Sequence, residues 1–383
     1  MSLLRLGFRP FYLLAGLAAI AVIGLWLLAF TGHLQFGHYL QGVFWHSHEM
    51  VFGFQTAVIA GFLFTAVRNW TGLPTPTGIM LGLIALLWIA ARVLVVTGPV
   101  PLAVVVDVAF LPVVAIAVAI PIFRSKNARN VKIVGILIAM SLLHAGFHLA
   151  LAGQLPAWLS RPSLFTFIDA VVVLFALVGG RVIPAFTRNA VPGSNPRHEK
   201  WLEVTAFGSL ILIALVTLFG ETMPLPSWLL LVLLLVAAVA HFLRLALWQP
   251  QLTVTNPLLW MMPLAYSWLP VALLLRALST VAVVAPSSWI HALTMGALSS
   301  LMMAMMMRSA LGHTGRALAA SRADMSAFLL LQLAAITRVL AGTMDDYRVA
   351  AILSGTLWML AFAIFLLRYA PMLVSARVDG KPG

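Results

Sequence analysis

Trp45-His46-Ser47-His48-Glu49-Met50 is the densest run of chemistry-bearing side chains in the sequence. Two imidazoles and a carboxylate within four positions can ligate a first-row metal, move a proton, or cap a helix at an interface. On a regular helix His46 and Glu49 share a face, and His48 is turned roughly 200° from His46. An irregular first turn lets both imidazoles reach one ion. His144 and His148 stand one helical turn apart, a spacing that suits two ligands to one metal or one axial ligand with a hydrogen-bonding neighbour. Bonding to carbonyls of adjacent helices is the alternative for this pair. His241, His291 and His313 lie within or beside apolar stretches, whereas His33, His38 and His198 fall in expected loops and read as solvated.

The elements that carry these residues follow from composition. The chain has 383 residues, of which 62% are hydrophobic and 9% charged, and its mean hydropathy is +1.05. A soluble domain carries about 25% charged residues, so the solvent here is lipid. A helix crosses the hydrocarbon core with about 20 apolar residues. Such stretches fall at 10–30, 46–67, 78–97, 101–123, 131–153, 164–185, 201–220, 226–248, 257–278, 288–308, 324–343 and 348–370. Breaks carry turn chemistry at Pro74, Pro76, Gly98-Pro99, Pro192-Gly193, Pro224, Pro226 and Pro286. The expectation is an all-α polytopic bundle of twelve helices forming one transmembrane domain over 1–383, its first helix a retained one. No internal repeat is evident from sequence alone.

Charge orients the bundle. The net charge of +13 does not point to nucleic acid, because the basic residues sit in short loops between apolar stretches and form no patch. With the N-terminus inside, eighteen of the 23 Lys and Arg collect on the inner side and four on the outer, with Arg92 inside a span. Both termini are therefore expected in the cytoplasm. Cysteine is absent, which excludes thiolate metal sites, disulfides and cysteine nucleophiles. Any metal must be held by His, Met, Asp or Glu. The run Met302-Met303-Ala304-Met305-Met306-Met307 points all round a helix and reads as packing.

This topology puts His46, His48, Glu49, His144, His148 and His291 at similar depth toward the outer side. Five imidazoles and a carboxylate can supply an axial haem ligand and a three-His site for copper or non-haem iron. At the inner side His241 and His313 stand near Arg181, Arg308 and Arg316, whose guanidinium forks suit the carboxylates of a haem. The inner-side excess of basic residues explains those arginines equally well. Asp107 and Asp169, buried carboxylates on the fourth and sixth spans, can serve a proton path or pair with an arginine such as Arg92.

The motifs together resemble the NnrS family of bacterial inner-membrane proteins. The matching stretches are Gly7-Phe8-Arg9-Pro10-Phe11, Trp45-His46-Ser47-His48-Glu49-Met50 with Phe52-Gly53, and Gly61-Phe62-Leu63. They continue through Asn69-Trp70-Thr71-Gly72, Gly180-Arg181-Val182-Ile183-Pro184, His241 with Arg244, His291-Ala292-Leu293-Thr294, Arg308 and Gly312-His313-Thr314-Gly315-Arg316. The resemblance implies a haem- and copper-containing protein of nitric oxide metabolism and nitrosative stress tolerance, in the bilayer of the inner membrane. The haem would be of b type, as no Cys-based attachment motif exists. It implies His46, His48, Glu49, His148, His241, His291 and His313 as ligands, and His144 less strongly, since related chains favour an amide there. Met261, Met262 and Pro263 stand where many members carry a histidine. On this reading nitric oxide is reduced at a haem–metal site on the periplasmic side, with an external electron donor and Glu49 as catalytic proton relay. The alternatives are nitric oxide or metal binding without turnover, and secondary transport. Reporter fusions after Lys381 and within 188–200 are expected to read cytoplasmic and a fusion near Gln35 external; an external C-terminus would contradict twelve helices.

Overall fold

The computed structural model describes residues 2–35, 39–223, 226–344 and 346–381, so His38 lies outside the described residues. Twelve helices are long and apolar enough to cross a membrane, and no strand occurs among the described residues. They are Phe8–Phe30, Gly42–Thr71, Gly78–Thr97, Val100–Arg124, Ala128–Leu151, Ala157–Ala190, Lys200–Phe219, Ser227–Leu247, Pro257–Thr280, Pro286–His313, Arg322–Thr343 and Tyr347–Val374, called here the first to the twelfth. The expected count holds. Several helices outrun the apolar stretch that announces them: the second begins at Gly42 and the sixth reaches Ala190. Hydropathy marks only the part immersed in hydrocarbon, and polar ends continue the helix beyond it.

Local chemistry sets the boundaries. Proline occupies the first turn of the ninth and tenth helices, where its missing N–H costs nothing. Asn256 caps the ninth by accepting from Leu258 N at 3.1 Å. Gly72 closes the second helix with φ +70°, its N–H returning to the Arg68 carbonyl at 2.9 Å. Leucines such as Leu17, Leu83, Leu142 and Leu367 stand exposed on helix surfaces, as lipid contact requires.

The helices divide between two compact units, and each is described by itself. One comprises 1–167, 306–317 and 362–383; the other comprises 168–305 and 318–361. Most of the boundaries fall inside the sixth, tenth and twelfth helices, so no linker marks them in the sequence. In the first unit the first helix packs closely on the second: a Cβ at Gly61 would lie 2.9 Å from Phe11 Cβ. Arg9 donates to the carbonyls of Leu373 and Ser375 at 2.8 and 2.6 Å, holding the start of the first helix to the end of the twelfth. The fourth helix packs against the second, third and fifth. In the second unit the eighth helix packs on the seventh and ninth, and the ninth on the tenth. Trp268 fills the space a side chain at Gly296 would take and donates to Gln332 at 2.8 Å; Gln332 in turn donates to Ser300 at 2.6 Å.

Two helices share an irregularity. The second is π-helical over Glu49–Gln55 and the tenth over Ala292–Ser299. Each π-helical stretch begins at the residue after a histidine, His48 and His291. Such widened turns are rare and concentrate at functional sites.

Candidate metal centre

Four helices of the first unit deliver the centre. The second supplies His48 and Glu49 near its start, the third Arg92 near its end, the fourth Asp107 near its start, and the fifth His144 and His148 near its end. Because these four successive helices run antiparallel, the starts of the second and fourth and the ends of the third and fifth share one membrane face. His48, Asp107, His144 and His148 are all at most 1% exposed.

Three imidazoles converge on one oxygen. Asp107 Oδ2 lies 2.8 Å from His48 Nε2, 3.2 Å from His144 Nε2 and 3.1 Å from His148 Nε2. His148 Nε2 is also 3.2 Å from the Nε2 of both His48 and His144. Four ligands placed tetrahedrally about 2.0–2.1 Å from an ion are separated by about 3.3 Å, close to these spacings. Protons alone satisfy the cluster poorly. One carboxylate oxygen has two lone pairs for three ring nitrogens, and if all three donate to it the nitrogen pairs at 3.2 Å set N–H against N–H. A cation at the centre removes the conflict, so the residues fit a metal.

The distal ring nitrogens and the carboxylates are also held. His48 Nδ1 is 2.9 Å from Glu49 Oε1, which accepts from Arg92 Nη1 at 2.9 Å. Arg92 Nη2 donates to Asp107 Oδ1. His148 Nδ1 pairs with the Tyr39 hydroxyl at 2.8 Å, and the two rings stack. Tyr39 lies in the loop before the second helix, and burial, reinforced by the Asp107 charge, pushes its phenol up to about 12. His144 Nδ1 has no hydrogen-bond partner, and its ring stacks on Phe52 with centroids 4.1 Å apart. Ligating histidines characteristically give their second nitrogen to a carboxylate or other fixed group, as His48 and His148 do. One guanidinium stands against two carboxylates in a membrane interior, and a bound cation or the His48 imidazolium balances the second charge. Gly53 admits Arg92: a Cβ there would lie 3.0 Å from Arg92 Nη1, and Trp88 donates to the Gly53 carbonyl at 3.1 Å.

The remaining expected residues fall elsewhere. Half-buried His46 faces Trp26, ring centroids 4.5 Å apart, and is not in the group of four. Glu49 contacts His48 and Arg92 and stands behind the ligand atoms. His313 belongs to the first unit with Arg308 and Arg316, its ring 5.5 Å from that of Phe8. Arg181, His241 and His291 belong to the second. His291 Nδ1–H donates to the Ser287 carbonyl at 2.7 Å, the tautomer in which Nε2 carries the lone pair. His241 differs. The Tyr266 hydroxyl accepts from Arg244 at 2.7 Å and also lies 2.7 Å from His241 Nδ1. Arg244 also binds Glu203 through two bonds of 2.7 and 2.8 Å, and its guanidinium fills the space a side chain at Gly180 would need. Asp169 pairs with Arg276 at 2.8 Å.

Two members of the centre lay outside the sequence-based ligand set. Asp107 appears there only as a proton-path residue or partner of Arg92, and the second of these holds. The depth argument that grouped His144 with His48 applies equally to Asp107, and is the signal that finds it. Tyr39 sits in a loop and carries no such signal.

Fold and centre together define a multi-pass helical membrane protein with a buried His/Asp group of metal-ligand geometry. Residues 2–377 match the family described as NnrS protein, and the chain belongs to that family. Membership links it to nitric oxide. Comparison with curated proteins finds no match. Because Arg92 is the cation shared by Glu49 and Asp107, Arg92→Leu is expected to cost about 3–5 kcal/mol of stability, with Arg92→Lys milder. Thermal unfolding in detergent measures both.

Proposed function

We propose that the chain is a haem- and copper-containing protein of the bacterial inner membrane that binds and reduces nitric oxide. Copper, or alternatively non-haem iron, would be held by His48, His144, His148 and Asp107. The observation that carries this reading is the convergence of three imidazole nitrogens on one carboxylate oxygen, at spacings a metal ion would set. Imidazole suits copper and iron alike, and a site without thiolate is ordinary for either. A b-type haem accords with family membership and with the His291 tautomer. With the N-terminus in the cytoplasm, the start of the second helix and hence the centre lie on the periplasmic side.

When bound, the metal supplies a redox-active position for nitric oxide, the electrons coming from an external reductant. The chain's own residues orient and protonate. Glu49 holds the Nδ1 side of His48 and fixes which nitrogen faces the centre. Both hydrogen bonds to Glu49 fall on Oε1, which leaves Oε2 to carry a proton toward the reduced product. Arg92 keeps Glu49 and Asp107 in register, and the surrounding Phe52, Phe147 and Phe167 keep the centre dry.

The test is metal, haem and nitric oxide consumption measured on the same purified, reconstituted samples with a reductant. His48→Ala and His148→Ala are expected to lose the non-haem metal, and His291→Ala to alter the Soret band. Glu49→Gln should retain metal and haem and lose most turnover. Metal loss in Glu49→Gln would make Glu49 a ligand. Full occupancy with unchanged consumption would remove its proton role. No consumption by the unaltered protein would leave nitric oxide binding without turnover.

A further inference from the structure

The two π-helical stretches share a local pattern that residue identity alone does not expose. Aligning His48 with His291 places Gly53 on Gly296, five residues on in each case, and Thr71-Gly72 on Thr314-Gly315. The π-helical stretches start at the same register, and Gly72 and Gly315 both have positive φ, +70° and +77°. In each case the following helix carries Arg-Val-Leu near its end, Arg92-Val93-Leu94 in the third and Arg338-Val339-Leu340 in the eleventh. Helix register agrees as well. Ser288 donates to the Val339 carbonyl at 2.9 Å, and a Cβ at Gly342 would lie 2.6 Å from Ser288 Oγ. One turn further along the tenth helix, Ala292 is therefore level with Arg338, as Glu49 is with Arg92.

The second arrangement keeps the histidine and the arginine, and among the described residues no acid pairs with that arginine. Ala292 stands where the first arrangement has Glu49. Arg92 takes its other partner, Asp107, from the next helix; Arg338 likewise takes Tyr347 from the next helix, donating Nη2 to a phenol and lying 4.6 Å from its ring. Arg92, Arg244 and Arg276 each face a carboxylate. Arg338 is 7% exposed, and its Nη1 is buried with no hydrogen-bond partner. Among the described residues Arg338 makes no ion pair, and its hydrogen-bond partner is the Tyr347 hydroxyl. A buried guanidinium that no described carboxylate faces is costly inside a membrane, and a methyl and a phenol beside it, where Arg92 has two acids, favour an anion over a cation.

We infer that the second unit holds an anion site at Arg338, on the His291 side of the eleventh helix, for a small planar oxyanion. The anion is either free, as nitrite is, or the carboxylate of a bound cofactor; both match the guanidinium fork. This site does not depend on a metal at Asp107, so either can fail alone.

The probe is sodium nitrite against sodium chloride at equal ionic strength, read by thermal unfolding of the full-length protein in detergent. Haem content is measured on the same samples. A free anion raises the unfolding temperature with nitrite concentration, and Arg338→Gln weakens the response about tenfold or more. Ala292→Glu supplies the missing acid internally and is expected to fold and to ignore nitrite. If the unaltered protein ignores nitrite but Arg338→Gln purifies with less haem, the anion is a cofactor carboxylate. A nitrite response that survives in Arg338→Gln or in Ala292→Glu overturns the inference. So does the absence of any nitrite response together with full haem content in Arg338→Gln.

Discussion

A carboxylate taken out of water into a membrane interior has to be neutralised where it stands, and Asp107 is the residue on which this requirement falls hardest. Its two oxygens divide the work. Oδ1 takes Arg92, and Oδ2 faces three imidazole nitrogens within 3.2 Å. Arg92 in turn binds Glu49, and Glu49 holds His48, so four helices are joined through one polar cluster. Losing any member leaves a neighbour charged and unpaired in a medium that cannot solvate it. The aromatic packing of Phe52 against His144 and Phe167 follows from the same demand, since water admitted there would compete for the carboxylates.

Backbone irregularity is what lets a helix meet that demand. On a regular helix His48 and Glu49 point about 100° apart, yet Glu49 turns back to His48 Nδ1 while His48 Nε2 reaches Asp107. The π-helical stretch starting at Glu49 widens the turn, and Gly53 within it leaves room for the Arg92 guanidinium. The tenth helix repeats the device after His291, where Gly296 admits Trp268 instead. The same backbone solution thus serves two units with different polar partners.

Much of this was legible in the sequence, for physical reasons that vary by element. The twelve helices follow from apolar runs, since the bilayer permits little else. His144 and His148 were a pair by spacing, and the structure brings both to one oxygen. His46 was grouped with Glu49 on regular helical geometry; the π-helical turn has no local residue signature, and His46 turns to Trp26. Asp107 was ambiguous because a lone acid within a span reads equally as an ion-pair partner, and it is both that and the fourth member of the cluster. Tyr39 was invisible, because a loop residue is placed by tertiary structure alone. The Tyr266 hydroxyl between Arg244 and His241 lies beyond any spacing argument.

The central claim is that three imidazoles and Asp107 surround one metal ion. X-ray absorption at the metal edge of the purified protein tests it directly. The account predicts about four nitrogen or oxygen ligands near 2.0 Å, with the outer-ring scattering of three imidazoles, and one imidazole fewer in His148→Ala. A first coordination sphere without imidazole scattering, or one unchanged by His148→Ala, would contradict it.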